Sequence, residues 1–137
     1  MSLVLDNSST MAWTFPEETT SAIDIVFSRV ERTGAWVPSL WQLEVANVLQ
    51  MAVRSNRYTA AFRDRALAAL AVLPIDIEHT RTSHVWNEIV HLAERHDLTV
   101  YDATHLELAM RRNLPLATLD TALRAAATRE GVSLLGL

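Results

Sequence analysis

Leu3-Val4-Leu5-Asp6, continued by Asn7-Ser8-Ser9, is the stretch from which the fold is read. Three apolar, β-prone residues stop on a carboxylate, and small polar residues able to open a helix follow. An uninterrupted apolar run marks a strand buried on both faces, the habit of a central strand in a parallel sheet. An acid at the carboxyl end of such a strand stands where open α/β sheets bind their ligands. Asp6 and Ser8 are also explained as a strand stop and a helix cap. What separates the two readings is whether comparable acids recur in comparable settings.

Downstream, strand-like and helix-like segments alternate. A short helical piece through Met11, Ala12 and Trp13 breaks near Phe15-Pro16. Residues 17–32 read as an amphipathic helix with Ala22, Ile23, Val26, Phe27 and Val30 on one stripe, ended by Gly34. Ala35-Trp36-Val37 is a brief strand stopped by Pro38, and Ser39-Leu40-Trp41-Gln42 has capping-box form, opening a helix to about Arg54. Residues 59–72 form a second helix, and 74–78 alternate like a strand. Residues 81–96 are helical with Val85, Ile89, Leu92 and Ala93 buried, and a further helix covers about 102–112. A strand at 114–119 ends on Asp120, a helix follows over 121–130, and 132–135 form the last strand. Such alternation calls for α/β architecture, a three-layer α/β/α domain whose parallel sheet has about five strands in the order 3-2-1-4-5. With no repeat, linker or low-complexity tract, residues 1–137 are expected to be one domain.

Composition narrows the chemistry. Half of the 137 residues are hydrophobic, enough for a substantial core. Charges interrupt every apolar stretch, so no membrane span is expected. The first strand begins almost at the N-terminal methionine, from which no signal or transit peptide, and a cytoplasmic location, are expected. Cysteine is absent, which removes disulfides, thiolate metal sites and a cysteine nucleophile. A net charge of −4 argues against a broad basic surface for nucleic acid, and no DNA-binding motif is present. Every basic residue is an arginine. The missing lysine weakens a P-loop reading of the Asp6 strand, along with receiver-domain and aspartyl-phosphatase readings.

Asp6, Asp102 and Asp120 all stand at or near helix starts, where capping and the helix dipole account for them. Glu44 does not fit that account. The cap of its helix is assigned to Ser39 and Gln42, and Leu40, Trp41, Leu43, Val45, Ala46, Val48 and Leu49 make its surroundings apolar. Only Asn47, three positions on, is polar on the same face. A lone carboxylate there costs several kcal/mol unless paired, hydrated or metal-bound. If the four acids converge, two charges about 4 Å apart repel by roughly 4 kcal/mol at an effective dielectric near 20. Raised pKa values or divalent cations make such a cluster tolerable, and all-oxygen ligands select Mg²⁺, with Mn²⁺ as substitute.

The residues then match a known pattern. "LVLDNSS", "PSLWQLEVANVL", "LTVYDATHLELAMRRNLPLATLD" and "TALRAAATREGV", in this order and spacing, resemble the PIN-domain ribonucleases, specifically the VapC-type toxins of prokaryotic toxin–antitoxin pairs. The resemblance places Asp6, Glu44, Asp102 and Asp120 on the family's metal-binding acids. Ser8 falls on its small hydroxyl after the first aspartate, and Thr118 on the hydroxyl two before the last acid; Asn7 departs from the usual threonine or alanine. It implies a Mg²⁺- or Mn²⁺-dependent endoribonuclease that cuts RNA, a cognate antitoxin that inhibits it, and a homodimer. Asp6 and Asp120 would be the primary metal ligands; Glu44 and Asp102 would complete the site or orient water. Asn47 is a supporting residue beside Glu44. His105, one turn after Asp102, approaches the pocket as a supporting group.

Other features read as structure. His84, Glu88 and His91 share a helix flank best explained as solvated, and Arg111 and Arg112 as compensating a helix dipole. Trp13, Trp36, Trp41 and Trp86 are expected mostly in the core, with Trp13 and Trp41 beside a partner surface. Two other functions fit the same fold: a housekeeping RNA-processing nuclease without an antitoxin, and a non-catalytic binding module. A small neighbouring reading frame discriminates the first, and metal titration the second.

Overall fold

The computed structural model describes residues 2–137. Its sheet has five strands, β1 (Val4–Leu5), β2 (Ala35–Pro38), β3 (Ile75–Glu78), β4 (Leu116–Ala117) and β5 (Leu134–Leu135). They are arranged β3-β2-β1-β4-β5 with every pairing parallel, the order expected from the sequence. Val4 pairs with Trp36 on one side and Leu116 on the other, so β1 is central.

Alternation along the strands divides the core in two. Leu3, Leu5, Ala35, Val37 and Ala117 face one layer, formed by α1 (Asn7–Thr14), α2 (Ser21–Thr33), α3 (Leu40–Arg54) and α4 (Ala60–Ala71). Val4 and Leu116 face the other, formed by α6 (Val90–His96), α7 (Val100–Arg112) and α8 (Thr121–Arg129). Leu3, Val4 and Leu5 are all fully buried, as a strand covered on both faces requires.

Local chemistry sets the helix ends. The expected helix at 17–32 is split: Pro16–Glu18 forms a 3₁₀ turn, and α2 starts after Thr20, whose hydroxyl accepts from the Ile23 amide at 3.2 Å. α2 stops at Gly34, whose φ of +78° and a carbonyl of Pro74 2.9 Å from any added Cβ leave room only for glycine. The capping box expected at Ser39 does not form. Ser39 is helical in conformation, makes no side-chain cap bond, and gives its amide to the Glu78 carbonyl at 3.2 Å, prolonging the β2–β3 ladder. The helix expected over 81–96 holds a π turn at Val85–Ile89 between α5 (Thr82–His84) and α6. Among the described residues, no helix is long and apolar enough to cross a membrane.

Candidate active site

Asp6 closes β1 and occupies the N-cap position of α1, yet its carboxylate caps nothing. Instead Oδ2 accepts from the Ser8 hydroxyl at 2.7 Å and the Thr118 hydroxyl at 2.8 Å. Each hydroxyl has one proton and each gives it to Asp6, so the 3.2 Å Ser8–Thr118 approach is a contact between two oxygens. Their lone pairs are used too: Ser8 Oγ accepts from the Leu119 amide at 2.9 Å, Thr118 Oγ1 from the Asp120 amide at 3.1 Å. The two hydroxyls thus tie the ends of β1 and β4 together and fix the direction of a buried carboxylate.

The other acids come from three helices. Asp120 caps α8, its Oδ1 accepting from the Leu123 amide at 2.8 Å. Asp102 lies in the first turn of α7, where the Thr99 hydroxyl accepts from the Asp102 amide at 3.1 Å, one half of a capping box. Its carboxyl is pushed above the usual range by burial, then by the Asp6 and Asp120 charges. Glu44 projects from α3 and is raised further, from 4.5 to about 7; burial is the main cause, with Asp6 and Asp102 adding to it and His105 opposing. Asp102 is thus within electrostatic reach of each of the other three acids, and Glu44 of Asp6 as well. Asn47, expected to support Glu44, is exposed, and no hydrogen bond joins it to the acids among the described residues.

His105 stands closer to the acids than its supporting role in the sequence implies. It is fully buried, its Nδ1 hydrogen-bonds the Tyr101 carbonyl at 3.0 Å, and its Nε2 lies 3.8 Å from Asp6 Oδ1 and 3.7 Å from Glu44 Oε1. A carbonyl only accepts, so Nδ1 carries a hydrogen and the ring is oriented with Nε2 toward the acids. The available signal was its spacing, one turn past Asp102 on the same helix.

Glu44 Oε1 and His105 Nε2 are buried without hydrogen-bond partners. Asn7 Oδ1 and Ser9 Oγ are in the same state; buried polar atoms without partners are uncommon and are met by water or an ion where no protein group reaches them. Carboxylate oxygens with one unpartnered member are the donor set of a hard divalent cation. The acids have not closed into a cage: among the described residues, no three His, Asp or Glu side chains are grouped tightly enough to hold an ion as they stand.

The surroundings correct several expectations. Arg111 and Arg112 do more than compensate a dipole: both clamp Glu78, Arg112 at 2.6 Å, while Arg111 also bonds Glu107 at 2.7 Å. Arg112 stacks over Trp36, 3.5 Å from the ring centroid. Trp41 is buried and donates to Thr10 Oγ1 at 3.0 Å, and Trp13 stacks on Phe27. Leu43 and Tyr101, next in sequence to Glu44 and Asp102, are exposed. Trp86, expected in the core, is 77% exposed.

A family model described as PIN domain matches residues 3–128. Among curated proteins, Ribonuclease VapC1 of Mycobacterium tuberculosis, from strains CDC 1551 / Oshkosh and ATCC 25618 / H37Rv, is 37% identical over 90 residues. That match covers 65% of this chain and 65% of the relative, just under two thirds of the relative's length. Among solved structures, PAE2754 from Pyrobaculum aerophilum gives a TM-score of 0.74 at 20% identity, covering 98% of this chain and 83% of that one. FitAcB from Neisseria gonorrhoeae gives 0.67 at 14% identity, covering 98% and 96%. At these identities the two structures are likenesses of fold.

Proposed function

The chain belongs to the PIN domain family, and from that premise we propose that it is a divalent-metal-dependent endoribonuclease, the toxin of a toxin–antitoxin pair. The observation that carries the reading is Asp6: a buried carboxylate at the end of the central strand, held by two hydroxyls and used for no cap. A cap would explain Asp120 and Asp102; it does not explain Asp6 or Glu44.

Asp6, Glu44, Asp102 and Asp120 would hold Mg²⁺, or Mn²⁺ in its place. Bound there, the ion supplies Lewis-acid stabilisation of phosphoryl oxygens and lowers the pKa of water. The chain's own part is positional. Ser8 and Thr118 fix the Asp6 carboxylate, and the Thr118 hydroxyl also orients the backbone that carries Asp120. Asp6 itself is buried, so its charge acts more strongly than it would at the surface. Water attacks phosphorus in line; the new P–O bond forms as the bond to the 3′-oxygen breaks, leaving a 3′-hydroxyl and a 5′-phosphate. Glu44 and Asp102 would complete the ion's site or orient the attacking water, and the proton that water releases ends on the departing 3′-oxygen.

Cytoplasmic RNA is the substrate in this reading. A cognate antitoxin is the inhibitor, and the protein is a homodimer in a single-domain form. The exposed Leu43 and Tyr101, each adjacent in sequence to a site acid, support an antitoxin segment that packs apolar side chains at the rim. The experiment is purified protein, free of antitoxin, on a panel of structured and single-stranded RNAs with Mg²⁺, Mn²⁺ or EDTA. Cleavage that survives EDTA, or that is unchanged in Asp6→Asn, sinks the mechanism. Co-expression with the product of the adjacent gene tests the partner; a free, uninhibited protein would defeat that part.

A further inference from the structure

We propose that Arg124 is a positioning residue of the acid site, locking the carboxyl ends of β4 and β5 so that Thr118 holds Asp6 in one geometry. The proposal rests on the ribonuclease reading above and adds a residue outside the acids and their two hydroxyls.

Arg124 lies one turn into α8, its amide bonded to the Asp120 carbonyl at 2.9 Å. Its side chain turns back to the sheet. Nη1 donates to the Thr118 carbonyl at 2.7 Å and to the Leu135 carbonyl at 3.0 Å. Those two carbonyls belong to neighbouring strand ends, where the β4–β5 ladder is failing: the Thr118 amide reaches the same Leu135 carbonyl only at 3.4 Å. One guanidinium nitrogen therefore reinforces a weak ladder bond at the point where the chain must leave the sheet. No carboxylate pairs with Arg124 among the described residues, so both bonds the guanidinium makes go to backbone carbonyls.

What is locked is the residue that orients Asp6. Thr118 Oγ1 gives its proton to Asp6 Oδ2 and accepts the Asp120 amide. A rotation of the Thr118 peptide would break both bonds and move two acids together. Gly136, at φ +111°, carries the chain past the same junction; an added Cβ there would stand 3.5 Å from the Thr118 carbonyl and Ser9 Oγ, an ordinary contact distance. Arg124 is thus the side chain that holds the Thr118 carbonyl to the end of β5. Groups that orient metal-binding residues at one remove are worth about 10- to 100-fold in metal affinity or activity.

The test compares the parent with Arg124→Gln and Arg124→Lys, folding being checked by circular dichroism. An ammonium can still donate to both carbonyls; the shorter glutamine amide cannot span them. Expected for Arg124→Gln are kcat lowered at least about tenfold with KM within about twofold, and Mn²⁺ affinity by calorimetry weakened about tenfold. Arg124→Lys should recover most of both. Unchanged kcat and Mn²⁺ affinity in Arg124→Gln, with only a lower melting temperature, overturns the proposal. If Arg124→Gln does not fold, a Mg²⁺ titration of the parent followed by ¹⁵N NMR decides. The Arg124 side-chain and Thr118 amide resonances should move together with ion binding, and an unmoved arginine overturns the proposal. A parent that binds the ion and cuts no RNA defeats the cleavage reading alone, because the affinity comparison still stands.

Discussion

Replacing Glu44 by glutamine should stabilise the ion-free protein, and only above a definite pH. The carboxyl is raised from 4.5 to about 7 in the fold, chiefly by burial. At roughly 1.4 kcal/mol per unit, that gap corresponds to about 3 kcal/mol. Its side chain keeps 28% of its surface in solvent, which screens part of the effect and leaves about 2 kcal/mol. Between pH 4.5 and 7 the folded state binds the Glu44 proton more tightly than the unfolded state does. Stability from this group is therefore fully present below the unfolded value and is lost as pH rises through the folded one. The parent in EDTA should weaken over that window, while Glu44→Gln, neutral throughout, should not lose this contribution. Near pH 4 the two should melt together; at pH 8 the variant should melt higher by about 6 °C, at about 3 °C per kcal/mol for a chain of this size. Thermal melts in EDTA at half-unit pH steps measure it. A variant that melts no higher than the parent at pH 8, or a gain as large at pH 4, refutes the argument that a buried charge is the cause. Adding Mg²⁺ should reverse the order, because the parent binds the ion and the variant does so less well.

Four further outcomes follow from the same geometry. Asp6→Asn should leave the melting curve nearly intact, since its amide oxygen still accepts from Ser8 and Thr118, while RNA cleavage falls at least about a hundredfold in a gel assay. Thr118→Val keeps the volume but removes the donor to Asp6 and the acceptor for Asp120; urea denaturation should show a loss of about 2 kcal/mol, with cleavage falling as well. Glu78 is held below the usual carboxylate range, first by its hydrogen bond to Arg111, so its stabilisation should be present above the ordinary value of 4.5 and fade as pH falls below it. Glu78→Gln should thus destabilise at pH 7 and much less at pH 3. Trp86→Ser should change stability by no more than about 0.5 kcal/mol in the same urea assay, because that ring is exposed.

The layered architecture was legible because Leu3-Val4-Leu5 admits only a strand covered on both faces, and all three residues are fully buried. Strand lengths were less legible. The strand expected over 114–119 is regular only at Leu116–Ala117: Pro115 has no amide to give, though its carbonyl still accepts from Val4, and Thr118 turns its side chain to Asp6. Ser39 has the letters of a cap, but its amide is claimed by a carbonyl of β3, a partner no local pattern reveals. Trp86 left the core for a related reason. In an α-helix it would fall on the stripe with Ile89 and Ala93, and the wider π turn carries it away toward the exposed Val90. Asp6, Glu44, Asp102 and Asp120 could be singled out as acids in order. That His105 turns its ring between two of them depends on how α7 crosses beneath β1, which spacing along the chain does not encode.

The placement of β1 also bears on when the site can exist. Its partners are Trp36 and Leu116, and the Thr118–Asp6 bond joins residues 112 positions apart. A chain leaving the ribosome presents Asp6 long before Asp120, and long-range parallel pairing is slow to form. Three acids emerge without the fourth and without the hydroxyl that aims Asp6. Until the closing strands dock, the four acids stay apart along the nascent polypeptide. The cluster is therefore a late product of synthesis, assembled only when β4 and β5 have been made and laid beside β1.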